Sequence, residues 1–205
     1  MNYGLISVVV MVLIIVYFFV QFERKERNVK LVALIATIAG VAGLLRLPFA
    51  ALPNIQPTTV IVMISGYIFG PSAGFMIGAI AALVSNSFLG HGPWTPWQML
   101  AWGLAGYTTG FFKGSKVLDS PLVFALLAFV WGFLFDYIMN LWHWLFFVYP
   151  LTLKTFIATY AASFYFDLMH AVGNFVFAYI FGKDLIKTFK RFSKRLTYRW
   201  EEKGE

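Results

Sequence analysis

The stretch from Leu47 to Phe112 contains no Asp, Glu, Lys or Arg. A segment this long without a charge does not match the surface of a water-soluble protein, where charged residues are common. Each crossing of a bilayer takes about 20 apolar residues, so the stretch has room for about three crossings. The whole chain is 60% hydrophobic and only 12% charged, with a mean hydropathy of +0.75. We therefore predict an all-α membrane protein.

Seven apolar spans follow one another along the chain, separated by charged segments or by segments rich in proline and glycine. A cleaved signal peptide is the competing interpretation of the first span. Its start lacks basic residues, however, and no small-residue cleavage site follows it. We predict seven membrane helices, at residues 4–20, 29–45, 58–69, 75–88, 97–112, 122–148 and 155–181.

The basic residues lie between these spans in a pattern that predicts the topology. All 16 Lys and Arg residues except Arg46 and Lys154 fall on one side of the membrane if the crossings alternate. By the positive-inside rule that side is cytoplasmic, so we expect the N-terminus outside and the C-terminus inside. The net charge of +7 therefore indicates orientation in a membrane rather than binding to nucleic acid.

Missing residues exclude several kinds of chemistry. The chain has no Cys, which excludes disulfides and thiolate metal sites. It also lacks a P-loop and the Gly-x-Ser-x-Gly motif of serine hydrolases. We expect a protein that is not an enzyme, with no catalytic residue, no metal ligand and no cofactor. An intramembrane enzyme that uses Asp136 and Asp167 as a carboxylate pair is the alternative.

Four small residues on the second span lie at helical spacing, namely Ala36, Ala39, Gly40 and Gly43. Spacings of three, four and seven place them on one side of a helix. Small residues allow a second helix to approach closely within lipid. The sequence therefore predicts a helix-packing surface, which serves either a partner protein or this bundle itself.

Two trios of polar residues occupy the last two spans, and each trio lies on one helix face. A carboxylate near the middle of a bilayer costs at least about 2.5 kcal/mol, so it normally faces a partner or a cavity. The alternative is a hydrogen-bonded bracket between helices, for instance with Arg46, and this structural role is favoured for Asp136. The trios are Asp136, Asn140 and His143, and Asp167, His170 and Asn174.

Two segments predicted to lie outside are rich in groups that bind ligands. Ligand sites are mostly apolar with a few placed polar groups, and here flat tryptophans stand beside amide side chains. An interfacial tryptophan belt is the alternative, but a belt does not need the prolines that stiffen this loop. The candidate residues are Asn54, Gln56, Asn86, His91, Trp94, Trp97, Gln98 and Trp102.

Several motifs together resemble the substrate-binding S components of energy-coupling factor transporters, over about residues 29–183. They are Pro53-Asn-Ile-Gln-Pro-Thr-Thr59, Gly66-Tyr-Ile-Phe-Gly-Pro71, Ser85-Asn86, Gly92-Pro-Trp-Thr-Pro-Trp-Gln98, Trp102-Gly103, Phe166-Asp-Leu-Met-His170 and Gly173-Asn174. The resemblance implies a six-helix bundle in the plasma membrane of a prokaryote. Such proteins bind a vitamin outside and associate with a T subunit and two ATPases, which use the ATP. The Gly92–Gln98 segment looks most like members assigned to cobalamin.

The resemblance also implies roles for individual residues. The small residues of the second span would contact the T subunit, although the usual Ala-x-x-x-Ala motif is here Ala36/Gly40 and Ala39/Gly43. The two trios (Asp136 excepted) and the loop candidates would bind the vitamin, with tryptophans packing on it and amides hydrogen-bonding it. His91, His143 and His170 are candidates for contact with the ligand or its cobalt.

The domain organisation follows from the extent of the same resemblance. We expect an extra membrane helix and basic link at residues 1–28, a six-helix domain at 29–183 and a basic cytoplasmic tail at 184–205. The other interpretations that stay open are an S component for riboflavin, pantothenate or a thiamin precursor, and a proton-coupled or passive carrier with Asp167 and His170 as a relay. A purely structural membrane partner is a third, which would leave the stiff outer loop unexplained.

Overall fold

The structure is a computed structural model that describes residues 3–25 and 28–201. Within these residues there are seven α-helices, two short 3-10 turns and no strand, so the predicted all-α fold class is confirmed. Each predicted span corresponds to one helix. The helices are α1 (Tyr3–Lys25), α2 (Val29–Leu44), α3 (Thr58–Phe69), α4 (Pro71–Leu89), α5 (Thr95–Gly110), α6 (Pro121–Phe147) and α7 (Leu153–Glu201), and the turns are Leu47–Phe49 and Val117–Asp119.

Five helices are long and apolar enough to cross a membrane, namely α1, α2, α4, α6 and α7. Helix α3 has only 12 residues and α5 has 16. Every residue of α3 is buried, as expected for a helix that is apolar on all sides. Helix α3 therefore lies in the interior of the bundle, against α4, α5 and α7.

Glycines bring α3, α4 and α5 unusually close together. Gly70 joins α3 to α4 with a φ of 103°, a backbone conformation that only glycine adopts without strain. Farther along, a Cβ atom on Gly74 would overlap the carbonyl of Gly106 on α5, and one on Gly106 would overlap the carbonyl of Gly74. Close contact between backbones replaces side-chain packing here, as is common in membrane bundles.

Helix α7 is much longer than the predicted span. It runs from Leu153 to Glu201 over 49 residues, whereas the span was predicted to end at Phe181. At about 1.5 Å per residue, the helix is about 73 Å long, more than twice the hydrocarbon thickness of a bilayer. The basic segment after residue 183 therefore continues α7 as helix.

The loops gather at two ends of the bundle, in agreement with alternating crossings. At one end, the Lys113 Nζ donates to the carbonyl of Phe69 at 3.1 Å, and Lys190 pairs with Asp119. We call this the inner end. The other end, which carries the loops at 45–57, 90–94 and 148–152, we call the outer end. The side of the membrane that each end faces stays a prediction.

Helix α1 packs on the outside of the bundle, against α4, α5 and α6. Its Phe18 ring stacks on Phe75 with centroids 3.9 Å apart and meets the edge of Tyr107 at 5.2 Å. Ten other α1 side chains are both exposed and apolar, which suits contact with lipid.

Candidate ligand-binding site

Arg46 organises a polar network at the outer end. It is the second residue after α2 and is half-buried. Its Nε donates to Gln56 Oε1 at 2.6 Å, and its Nη1 donates to Asn86 Oδ1 at 3.1 Å and to Ser85 Oγ at 3.3 Å. The Asn86 amide donates in turn to Gln98 Oε1 at 2.7 Å. The arginine therefore ties the 45–57 loop to α4 and, through Asn86, to α5.

A second network joins α6, α7, α3 and α5. Asp136 Oδ2 lies 2.9 Å from Nδ1 of His170, and the Asn54 amide donates to both Asp136 oxygens at 3.0 Å. The other ring nitrogen of His170 lies 2.9 Å from the Thr59 hydroxyl. The indole of Trp102 donates to that hydroxyl at 3.0 Å. Asp136 is thus a bracket between helices, as favoured from the sequence, but its partners are His170 and Asn54 instead of Arg46.

The two networks meet at Trp102. The Arg46 guanidinium carbon lies 5.2 Å from the centroid of the Trp102 ring, within the range of a cation–π contact. Residues from the 45–57 loop, α3, α4, α5, α6 and α7 are thereby connected through polar side chains. A change at one of them can be transmitted to the others, because satisfied buried networks act as a unit.

A third cluster surrounds Asp167 on α7. Its Oδ2 accepts hydrogen bonds from the Asn140 amide and the Ser163 hydroxyl, both at 2.9 Å. Its Oδ1 is buried without a hydrogen-bond partner in the described part of the chain, and so are both amide atoms of Asn174. A buried polar atom that lacks a partner costs about 1–3 kcal/mol, so such atoms are candidates for bonds to water or a ligand.

The three tryptophans predicted to line the site lie at different depths. Trp97 and Trp102 are buried, with 2% and 0% of their surface exposed. Trp94 is half-buried and meets the ring of Trp142 edge-on, with centroids 5.9 Å apart. In this arrangement Trp94 is the most accessible of the three, and a ligand reaches Trp97 and Trp102 only if their neighbours move.

The three histidines also differ in accessibility. His170 is fully buried, and both of its ring nitrogens are engaged by Asp136 and Thr59. His91 is exposed, with its ring nitrogens 3.4 Å from the hydroxyls of Ser87 and Thr95. His143 is exposed as well. A ligand can therefore approach His91 and His143 without a rearrangement, whereas a bond to His170 would displace one of its partners.

Two cavities open at the outer end. One has a volume of about 540 Å³ between α6 and α7 and includes Asn140, His143 and Ser163 in its wall. The other, of about 430 Å³, lies under the 45–57 loop and includes Asn54, Gln56 and Phe166. Phe166 and Ser163 are less than one helical turn apart on α7, so the two cavities are close neighbours. Both volumes fall in the range of small-molecule sites.

The small residues of α2 do not share one environment. Ala39 and Gly43 are buried, and a Cβ atom on Gly43 would lie 2.9 Å from the carbonyl oxygen of Ala81 on α4. Ala36 is exposed, and a Cβ on Gly40 would meet nothing within 4 Å. One Ala/Gly pair therefore packs inside the bundle, and the Ala36/Gly40 pair lies on its surface.

Sequence reasoning missed Thr59 and Ser163 and underrated Arg46. Thr59 joins His170 to Trp102, and Ser163 donates to Asp167. Hydroxyls in apolar helices are too common to stand out. Arg46 carried a signal, because it is the last charge before the uncharged stretch, but its partners lie 10 to 40 residues away in sequence.

Comparison with known proteins decides the family. The model of the "ECF-type riboflavin transporter, S component" family matches residues 23–191, most of the chain. The chain belongs to this family of S components. Together with the long apolar helices, membership makes it an integral membrane protein. The family is a class of transporter subunits, not a class of enzymes.

Two curated proteins are similar to about half of this chain. UPF0397 proteins of Aliivibrio fischeri strains MJ11 and ATCC 700601 / ES114 are each 30% identical over 100 residues, which cover 44% of this chain and 54% of theirs. The chain thus spans about half the length of these relatives. No solved structure matches it significantly. The family match begins at residue 23, so most of α1 lies outside the S component domain as the family defines it.

Proposed function

We propose that this S component captures a water-soluble vitamin at the outer end and delivers it after associating with a T subunit and two ATPases. The observation that carries the proposal is the family match over residues 23–191. The gathering of polar networks and two cavities at one end of an otherwise apolar bundle supports it. The sequence has no P-loop, so the ATPases would supply the power.

A corrinoid such as cobalamin is the ligand that we propose first. The stiff Trp94–Gln98 segment supports it, because a wide, flat ring edged with amides needs aromatic surface beside hydrogen-bonding side chains. Asn54 lines one cavity and Asn140 the other, and the half-buried Trp94 lies at the same end of the bundle. A corrinoid exceeds either cavity alone, so it would span both and displace the 45–57 loop.

Riboflavin is the second candidate, and the family description favours it. A flavin is smaller than a corrinoid, and a cavity of about 540 Å³ lies within the usual range for a ligand of its size. Its polar ring edge and hydroxyl chain need donors and acceptors, which Asn140 and Ser163 offer.

Identification of the bound ligand tests the proposal. The detergent-purified chain is denatured, the released molecules are analysed by mass spectrometry, and cobalamin and riboflavin are titrated in parallel. A corrinoid supports the first candidate, and a flavin replaces it with the second.

Trp94→Ala should weaken binding of the identified ligand at least tenfold, by about 1.4 kcal/mol or more. Phe111→Ala, exposed at the inner end, is the control. The absence of any small molecule and of binding would contradict the proposed capture.

The surface pair Ala36/Gly40 is the proposed contact for the T subunit. Ala36→Leu and Gly40→Leu should reduce co-purification of the T and ATPase subunits while ligand binding stays unchanged, because neither position is packed inside the bundle. Ala161→Leu, at an exposed alanine of α7, is the matched control. Unchanged assembly in both α2 variants would place the contact elsewhere.

A further inference from the structure

One face of α7 carries a row of lysines just beyond the bundle. Lys183, Lys187, Lys190 and Lys194 follow one another at spacings of four, three and four. At 3.6 residues per turn they lie within an arc of about 60° and over a length of about 16 Å. They line a groove of about 390 Å³ together with Arg191, Ile186 and Asp119. We call this the lysine groove.

The lysine groove carries an unbalanced positive charge. Lys190 lies 2.6 Å from Asp119, and this is the only ion pair that a groove cation makes within the described residues. The other three lysines and Arg191 are exposed. Five cations therefore face one carboxylate. A site of this composition attracts an anion with several oxygen atoms, such as a phosphate group.

The position of the groove indicates that the phosphate belongs to a lipid head group. Tyr179, Ile180 and Phe181 are exposed apolar side chains, which suit contact with lipid tails. The first groove lysine, Lys183, comes only two residues after Phe181, so it lies where lipid tails give way to head groups. A cluster of four to eight basic residues beside a membrane helix is typical of binding to anionic lipids.

Packing holds the groove in a fixed shape. Tyr67 donates a hydrogen bond to Asp119 at 2.8 Å, and the Lys190 ammonium lies 5.6 Å from the Tyr67 ring centroid. Ile186 is buried, and the Phe189 ring lies 6.1 Å from that of Phe69. We call the part of α7 after residue 183 the α7 extension. These contacts fix its start against α3 and the turn at Val117–Asp119. The helix that carries the exposed cations is thus held in place before a ligand arrives.

We propose that the lysine groove binds the phosphate head group of an anionic phospholipid at the inner end of the bundle. Lys183, Lys187 and Lys194 contact the phosphate, and Lys190 stays paired with Asp119 as the wall of the groove. Such a lipid would anchor the α7 extension at the membrane surface. The proposal is independent of the vitamin and of the ATPases, because it concerns the opposite end of the bundle.

The test compares two double variants of the full chain. Lys187→Gln/Lys194→Gln removes two groove cations and leaves the Lys190–Asp119 pair intact. Arg24→Gln/Lys30→Gln removes two exposed cations from α1 and α2 at the same end and is the matched control. Native mass spectrometry of detergent-purified protein, given equal amounts of phosphatidylglycerol and phosphatidylcholine, measures the lipid that each variant retains.

We expect the wild type to retain phosphatidylglycerol in preference to phosphatidylcholine. The groove variant should lose at least about tenfold in phosphatidylglycerol binding, and the control should stay within about twofold of wild type. Equal losses in both variants, or no preference in the wild type, would overturn the proposal. Displacement of the lipid by millimolar inorganic phosphate would assign the groove to free phosphate instead. Retained lipid with lost co-purification of an ATPase subunit would assign it to an acidic protein surface.

Discussion

At the scale of single residues, the buried pair of Asp136 and His170 is the most consequential. Both side chains are at most 5% exposed, and the atoms that face each other are 2.9 Å apart. Removal of one partner from a buried ion pair typically costs 3–5 kcal/mol, because the remaining group loses its main buried partner. Replacement of both by apolar residues of similar volume costs less, because neither buried partner is then left facing an apolar side chain, although the Asn54 amide loses its acceptor.

This asymmetry gives the first prediction. His170→Leu should lower the free energy of unfolding by about 3 kcal/mol or more, whereas Asp136→Leu/His170→Leu should recover part of that loss. Thermal unfolding in detergent measures both. A double variant that is less stable than either single variant would show that the pair does not act as a unit.

Asp119 is the residue that carries a pH dependence. Burial raises the pKa of its carboxyl, but hydrogen bonds from Lys190 and Tyr67 and the charges of Lys190 and Lys116 outweigh this and hold it below its usual range. A lowered pKa in the folded state adds stability above the unfolded value of about 3.9, and the gain is lost as the pH falls through the folded pKa.

The lowered pKa of Asp119 gives the second prediction. The melting temperature of wild type should exceed that of Asp119→Asn at neutral pH by a constant margin down to about pH 5. Below about pH 4 the margin should shrink as the carboxylate is protonated. The margin stays modest because both partners are more than one third exposed to solvent. A margin that grows on acidification would contradict the assignment.

At the scale of elements, the two faces of helix α2 differ in how much space they leave for a side chain. Its Gly43 face lies against α4, where a Cβ would be 2.9 Å from both the Ala81 carbonyl oxygen and the Val84 Cβ. Its Gly40 face is open. Residues three apart on one helix are thus under different constraints, although the sequence pattern treats them alike.

The third prediction compares the two glycines directly. Gly43→Val should destabilise the protein by about 1–3 kcal/mol, because α2 must move away from α4 to admit the side chain. Gly40→Val should change the melting temperature little and serves as the control for helix propensity. Similar effects of the two substitutions on thermal unfolding would show that α2 packs differently.

At the scale of the whole molecule, the bundle is polar at the outer end, apolar in the middle and basic at the inner end. Within the described residues, two cavities open at the outer end, and the polar clusters join its loops to residues well inside α6 and α7, whereas α3 is buried along its whole length. A binding subunit needs an accessible site at one end and a lipid-compatible body. The sequence contains no P-loop.

The fourth prediction concerns the isolated protein. Proteoliposomes that contain this chain alone should bind the vitamin without accumulating it, and addition of the T and ATPase subunits with ATP should start uptake. Radiolabelled ligand measures both binding and uptake. Accumulation by the chain alone, with no ion gradient, would contradict the proposal of a coupled S component.

The sequence by itself determined the helices, because burial in lipid is decided locally: each apolar span is long enough to form a helix whatever its neighbours. It also predicted which polar residues gather at the outer end, since alternating crossings bring the 45–57 loop and the end of α4 to one end of the bundle. The sequence motifs also indicated the family.

Only the tertiary structure decided which of these residues touch. The partner of Asp136 is His170 instead of Arg46, and Gly43 is buried while Gly40 is open. These outcomes depend on the rotation and separation of whole helices. Periodicity places residues on a face of a helix, but it does not say what that face meets.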